Sequence, residues 1–169
     1  MKIKNLYFSP VKSLSFNNVD TLEIIKNIGI KNDRIFAFTN NLNFEDIELI
    51  KNDPLKREIY KFLSLKKYPE LNEYNFLLEN NFLILEFENN IILKTDIDNQ
   101  HEVKILCNKL EDILPNINNI NLLKDNMNPF FDTMPNKSIS LINLNSIKDF
   151  ESITNHKIEH QRFRANIYV

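Results

Sequence analysis

Tryptophan is absent from this 169-residue chain, and cysteine and glycine each occur once. A single cysteine, Cys107, excludes an internal disulfide framework, so an ordinary hydrophobic core has to hold the fold. A single glycine, Gly29, leaves the tight turns to asparagine, aspartate and serine. Arginine is also scarce: only Arg34, Arg57, Arg162 and Arg164 interrupt a background in which lysine is the default cation. Where arginine does appear, a planar guanidinium fork is a candidate requirement, and chance is the plain alternative. The chain has no apolar run near the roughly 20 residues that span a bilayer, and its first nine residues alternate instead of forming a signal-peptide core. A cytoplasmic protein with no membrane partner is expected. A net charge of -2 argues against a broad nucleic-acid surface, which needs clustered excess lysine and arginine, although local basic pockets are compatible with it.

What is present suits a soluble fold. Hydrophobic residues make up 43% and charged residues 26%, enough for one substantial domain or two small ones sharing a core. Ile3 to Phe8 alternates as a half-buried strand, which Pro10 ends or moves to a sheet edge. Further strands are expected over Val19 to Ile25 and Ile35 to Thr39, with Gly29 and Asn32-Asp33 turning the chain between them. Asp53-Pro54 predicts the start of a short helix through Leu63. Tyr74 to Leu78, Phe82 to Phe87 and Ile91 to Lys94 read as a meander turned by Asn80-Asn81 and Asn89-Asn90. An amphipathic helix is expected from Val103 to Leu114, ended by Pro115, with Cys107 as a small core residue. Asn116 to Asn128 reads as a loop and Ser138 to Leu144 as a buried strand. A helix from Ile147 to Thr154, capped by Asn145 or Ser146, and a strand over Phe163 to Val169 complete the chain. The sum is an α+β fold, mainly β and barrel-like, with about three helices.

Three clusters carry anion-binding chemistry. Lys12 and Ser13 stand in a turn just after the first strand, where an ammonium and a hydroxyl can hold a phosphate. Asp33 beside Arg34 is either a local ion pair of little value or a device in which Asp33 fixes the turn and Arg34 aims its fork at an anion. Arg162, Arg164 and Asn166 are spaced two apart, so on a strand they share one face. Taken alone, each cluster is more simply a solvated turn or the polar outer face of a strand. His156-Lys157-Ile158-Glu159-His160 matches an inverted zinc-protease pattern, but zinc needs both histidines on one helix face and a further carboxylate downstream.

Taken in order, these clusters resemble the MOSC family, named for the C-terminal domain of molybdenum cofactor sulfurase. Tyr7-Phe8-Ser9-Pro10-Val11-Lys12-Ser13-Leu14 is similar to the family's opening strand and Pro-Val-Lys-Ser. Gly29 through Asp33-Arg34 and Ile35-Phe36-Ala37-Phe38 follow at the family's spacing. Then come Phe131-Asp132-Thr133-Met134-Pro135, the run from Ser138 to Ser146, and Arg162-Phe163-Arg164-Ala165-Asn166, where many members have proline in place of Ala165. The stretch from Lys51 to Asn128 matches only in pattern. The resemblance implies an N-terminal β-barrel domain over residues 1–95. A linker helix and the first part of a second barrel would follow over residues 96–169. The chain would then stop at Ile167-Tyr168-Val169, ahead of the family's metal-ligating cysteine.

The resemblance further implies that Lys12, Ser13, Arg34, Arg164 and Asn166 line a pocket for the molybdenum cofactor, a phosphate-bearing pterin (molybdopterin), with Asp132, Thr133 and Ser140 as weaker candidates. Lys12 and Arg34 would hold its anionic groups, and Arg164 and Asn166 would contact pterin or phosphate. Pyridoxal phosphate binding is an associated expectation. The implied activity is oxidoreduction or sulfur carriage through the pterin, with an electron-transfer partner in the first case; the alternatives are a cofactor carrier without turnover or a structural fragment without ligand. No catalytic residue and no protein metal ligand is assigned.

Overall fold

One glycine cannot turn a chain this often, and asparagine takes over the task. The structure, a computed structural model, describes residues 2–114, 116–131 and 137–169; Pro115, Asp132 and Thr133 therefore lie outside the described residues. Among these, thirteen non-glycine residues have positive φ, and eight of them are asparagines. Asparagine tolerates the left-handed region because its short amide bonds to the local backbone. Asn80 and Asn89 make the two expected meander turns this way.

The strands are β1 (Asn5–Phe8), β2 (Asn17–Val19), β3 (Ile24–Ile25), β4 (Gly29–Ile30), β5 (Phe36–Thr39), β6 (Tyr74–Glu79), β7 (Phe82–Phe87), β8 (Asn90–Asp96), β9 (Asn121–Lys124), β10 (Leu141–Ile142) and β11 (Ile167–Tyr168). The helices are α1 (Phe44–Asn52), α2 (Gln100–Ile113) and α3 (Leu144–Thr154). The class is α+β, built on small sheets, none of which closes into a barrel among the described residues. A four-stranded sheet runs β10-β11-β1-β2; β3-β4 and β5-β9 are two-stranded; β6-β7-β8 is the meander. Strands early and late in the chain pair with each other: Leu6 faces Ile167, and Phe38 faces Leu122.

The main core lies between the meander, β5 and α2. Phe36, Phe38, Phe76, Leu83, Leu106 and Leu110 are all buried there. Cys107 shares this core, and burial pushes its thiol up to about 11. Val11 and Leu14, fully buried, plug the turn after β1 into the same cluster. Each such side chain contributes about 1.5–3 kcal/mol of burial, which fixes Lys12 and Ser13 between them. The turn also docks on the start of β5, because Lys12 N–H donates to Phe36 O at 2.7 Å and Phe36 N–H to Pro10 O at 3.0 Å.

Several elements differ from the sequence expectation. Val19 to Ile25 is not one strand, because Ile24 and Ile25 leave to form the β3-β4 hairpin about Asn27. The helix expected over 53–63 lies earlier, as α1, where Asn43 accepts from Asp46 N–H at 2.7 Å. Asp53 does cap, but onto the three-residue 3-10 turn Pro54–Lys56. A helix through Phe62 and Leu63 would cost β5 a neighbour, since Leu63 N–H donates to Phe38 O at 2.8 Å. The loop at Asn116 to Asn128 contains β9, which pairs with β5 and buries Leu123. Ser138 to Leu144 shrinks to β10 at a sheet edge, with Leu141 half exposed, and Asn143, not Asn145 or Ser146, caps α3.

Arg57 ties these pieces together. Its buried guanidinium pairs with Asp125 at 2.5 Å, donates to Asn128 O, and lies 4.3 Å from the centre of the Phe130 ring; its Nε donates to Ile50 O at 3.0 Å. Burial raises the Asp125 carboxyl, but hydrogen bonds from Arg57 and from the Asn128 and Met127 N–H groups outweigh it and hold the group below the ordinary carboxylate value. A depressed folded-state pKa adds stability that is present above the unfolded value of about 4 and is lost as pH falls through the folded one. Asp125→Asn should therefore lower stability at neutral pH by about 1–2 kcal/mol, less than a fully buried pair would cost because the Asp125 carboxylate is partly open to water. Urea denaturation should show that gap closing as the pH drops below the carboxylate range; a gap independent of pH would contradict the assignment. The Cys107 thiol should likewise ignore a disulfide reagent at pH 8 in the native protein and react in urea. Rapid native labelling would show that α2 opens readily.

Candidate functional site

Asp33 is the node on which the site is built. It is 1% exposed, and its carboxylate accepts from Ser9 N–H at 2.8 Å, from the Asn166 amide at 3.2 Å, and from the neighbouring Arg34 guanidinium. Those three donors come from the turn after β1, the turn before β5 and the segment before β11. A buried carboxylate is tolerated only when so many donors converge on it. Arg34 N–H also donates to Ser9 O at 2.5 Å, which closes the contact between the first two turns.

Asn166 completes the frame. Its Oδ1 accepts from Ser140 N–H at 3.2 Å and Ser140 Oγ at 2.9 Å, and its Nδ2 donates to Tyr7 O and Asp33 at 3.2 Å each. That is the whole capacity of an amide side chain, two acceptor sites and two donors. Asn166 therefore shapes the wall and has no bond left to offer a ligand.

The frame surrounds a cavity of about 610 Å³. Lys12, Ser13, Arg34, Ser140, Arg164 and Asn166 all line it, which brings together six of the eight residues singled out from the sequence. Asp132 and Thr133 fall outside the described residues. Lys12 is 3% exposed; its Nζ lies 3.4 Å from Phe130 O and 5.7 Å from the centre of the Phe62 ring. The Arg34 guanidinium stands 5.4 Å from the centre of Phe131. Arg164 donates to Ser15 O at 2.8 Å and Leu14 O at 3.5 Å, with its guanidinium carbon 5.2 Å from the centre of Phe16. Lys66 adds a fourth cation, and Leu65, Phe130, Phe131 and Phe163 supply apolar wall. Among the described residues, no carboxylate lines this cavity.

The backbone around it is unusual. Ser13, Ser15, Arg34 and Arg164 have φ of 60°, 52°, 56° and 51°. Elsewhere asparagine takes most such positions; here serine and arginine do, at about 1–3 kcal/mol each. Strain of this kind persists where surrounding contacts over-determine it, and it concentrates at ligand sites.

Other sequence expectations do not carry into the structure. Arg162, Arg164 and Asn166 do not share a strand face. Residues His160–Phe163 form a 3-10 turn and Arg164 is its left-handed cap, so alternation begins only at β11. Arg162 is exposed and lines a different cleft. The zinc-protease pattern lacks its helix, because α3 ends at Thr154 and Asn155 turns left-handed. His160 instead meets the Tyr7 hydroxyl through Nε2 at 3.2 Å and packs edge-on against Tyr168 at 4.7 Å. The sequence pattern gave no role to Phe130, whose backbone carbonyl accepts from Lys12 Nζ; its place in Pro129-Phe130-Phe131 was the available signal. No family model, no curated protein and no solved structure matches the chain.

Asn166→Ala should cost about 2–3 kcal/mol, because it strips a donor from a buried carboxylate and takes away the acceptor of the Ser140 N–H and hydroxyl. Asn166→Asp should cost more, since it sets a second carboxylate beside Asp33. Chemical denaturation of both variants checks the order; an Asp variant as stable as the parent would remove Asp33 as the node.

Proposed function

We propose that the cavity framed by Asp33 and Asn166 binds an anionic, phosphate-bearing heterocycle, and that this ligand is the pterin of the molybdenum cofactor, as in a MOSC-type protein. The observation that carries the reading is the meeting of Lys12, Arg34 and Arg164, from three distant stretches, around one cavity with aromatic walls. Guanidinium forks suit phosphate oxygens, and flat apolar walls suit a planar ring. The donor set fits the phosphate and ring of such a group.

Lys12 and Arg34 would neutralise and orient the anionic end, with Asp33 holding the Arg34 fork in place. Arg164, held by the Leu14 and Ser15 carbonyls, would turn its guanidinium face toward the ring or the phosphate. Ser13 adds a hydroxyl at the wall, whereas the Ser140 hydroxyl is spent on Asn166 and shapes the wall only. A bound molybdenum cofactor supplies redox or sulfur-transfer chemistry, and the protein supplies binding and orientation. The only cysteine, Cys107, is buried in the α2 core and offers no thiolate to this cavity. The same reading takes the small sheets as walls of MOSC-type barrels and gives the protein cytoplasmic work as an oxidoreductase with an electron-transfer partner, or as a sulfur carrier.

The test is cofactor retention. After anaerobic loading with molybdopterin carrying molybdenum, the parent chain should hold metal through gel filtration. Arg34→Ala and Arg164→Ala should each weaken retention about tenfold, the loss expected for one charge-assisted contact. Arg164→Lys, which keeps charge but not the fork, should fall between. Circular dichroism separates lost binding from lost fold. Parent-level metal in both alanine variants, with native spectra, would overturn the assignment. Inorganic pyrophosphate, titrated in parallel, separates loss of anion binding from loss of pterin recognition.

A further inference from the structure

Arg164 is the wall of two cavities. Behind it, away from Lys12 and Arg34, opens a second cleft of about 870 Å³. Its floor is Ser15 and Phe16, with Leu65 and Tyr74 as further apolar surface. One side is the chain around Asn72, Glu73 and Asn75, which enters β6 from a 3-10 turn. The other is the segment between α3 and β11, which brings Lys157, Glu159, Gln161 and Arg162.

The charges are arranged unevenly. Glu73 is the carboxylate of the first segment, Lys157 and Arg162 outnumber Glu159 on the second, and Arg164 stands between this cleft and the first cavity. None of Glu73, Lys157, Glu159 and Arg162 forms an ion pair among the described residues, so they stand beyond ion-pairing reach of one another while facing the same space. A ligand that pairs with both segments must carry charges of both signs, and because Glu73 lies beyond ion-pairing reach of Lys157 and Arg162 those charges cannot sit on adjacent atoms. The Asn72 side-chain amide and the Gln161 side-chain carbonyl offer further hydrogen bonds, the Gln161 amide nitrogen already donating to the Tyr7 hydroxyl at 3.2 Å, and Phe16 and Tyr74 offer flat apolar contact. The first cavity differs in kind: its described lining has no carboxylate and suits an anion alone.

We propose that this cleft is a second ligand site, for an elongated zwitterion whose anionic end lies against Arg162 and Lys157 and whose ammonium end lies toward Glu73. An ω-amino acid and a short peptide with free ends share that chemistry. The inference is independent of what the first cavity holds, since none of the charged groups it uses belongs to that cavity.

The experiment is a titration of the ¹⁵N-labelled chain followed by amide shifts. The probes are 6-aminohexanoate, hexanoate and hexylamine, which have similar length but differ in charge. The zwitterion should give saturable shifts in residues 72–75 and 157–162, and each singly charged probe should bind about tenfold more weakly. Glu73→Gln should bring zwitterion affinity down to that of hexanoate, and Arg162→Gln down to that of hexylamine. Both side chains are exposed, so the thermal transition should stay near the parent's, and a fold defect would be visible there. Triglycine, titrated alongside, identifies the source: tighter binding than 6-aminohexanoate assigns a peptide, weaker binding an ω-amino acid. Equal binding of all three six-carbon probes, or no saturable shift in the two segments, overturns the proposal.

Discussion

A buried carboxylate is the constraint on which the site depends. Asp33 has almost no access to water, so its charge is tolerable only while Ser9, Arg34 and Asn166 donate to it. That requirement draws together chain segments more than a hundred residues apart. It also sets the direction of Arg34, because a guanidinium paired on one edge presents its other donors in a fixed plane. The cavity is in this sense a by-product of satisfying one charge. Its cations are positioned before any ligand arrives, and a pre-positioned site loses less freedom on binding.

The surrounding packing makes that arrangement rigid. Val11 and Leu14 anchor the Lys12 turn in the main core, while Arg57 and Asp125 fasten the loop that delivers Phe130. Tyr7, Phe16 and Tyr168 form an aromatic cluster behind Arg164, with Tyr7 and Phe16 stacked at 4.7 Å. Left-handed serine and arginine conformations survive because contacts on every side hold them. Two cavities of different charge character then meet at one arginine, which places an anion-suited space beside a mixed-charge one.

Local patterns were legible where a single element satisfies itself. The meander over Tyr74 to Asp96 and the amphipathic α2 follow from period and turn chemistry, with errors of a few residues at their ends. Arg34 and Arg164 were visible because arginine stands out against a lysine-rich background, and Lys12 because it shares a turn with the Ser13 hydroxyl. Elements whose existence depends on a distant partner were not legible. β9 exists because β5 needs a neighbour, and the 53–63 region is held to short 3-10 turns instead of a helix in part because Phe62 and Leu63 flank the same strand. The alternation at Arg162 to Asn166 misled because a 3-10 turn and a left-handed arginine interrupt it.

By itself the sequence determined the turn economy, the class of fold and the residue types able to hold an anion, since each follows from composition and short-range pattern. Only the tertiary structure decided that Lys12, Arg34 and Arg164 share one space, that Asn166 is spent on the frame, and that Arg162 faces elsewhere. The physical reason is range. Backbone preference acts over a few residues, whereas a buried charge must find its donors wherever in the chain they lie.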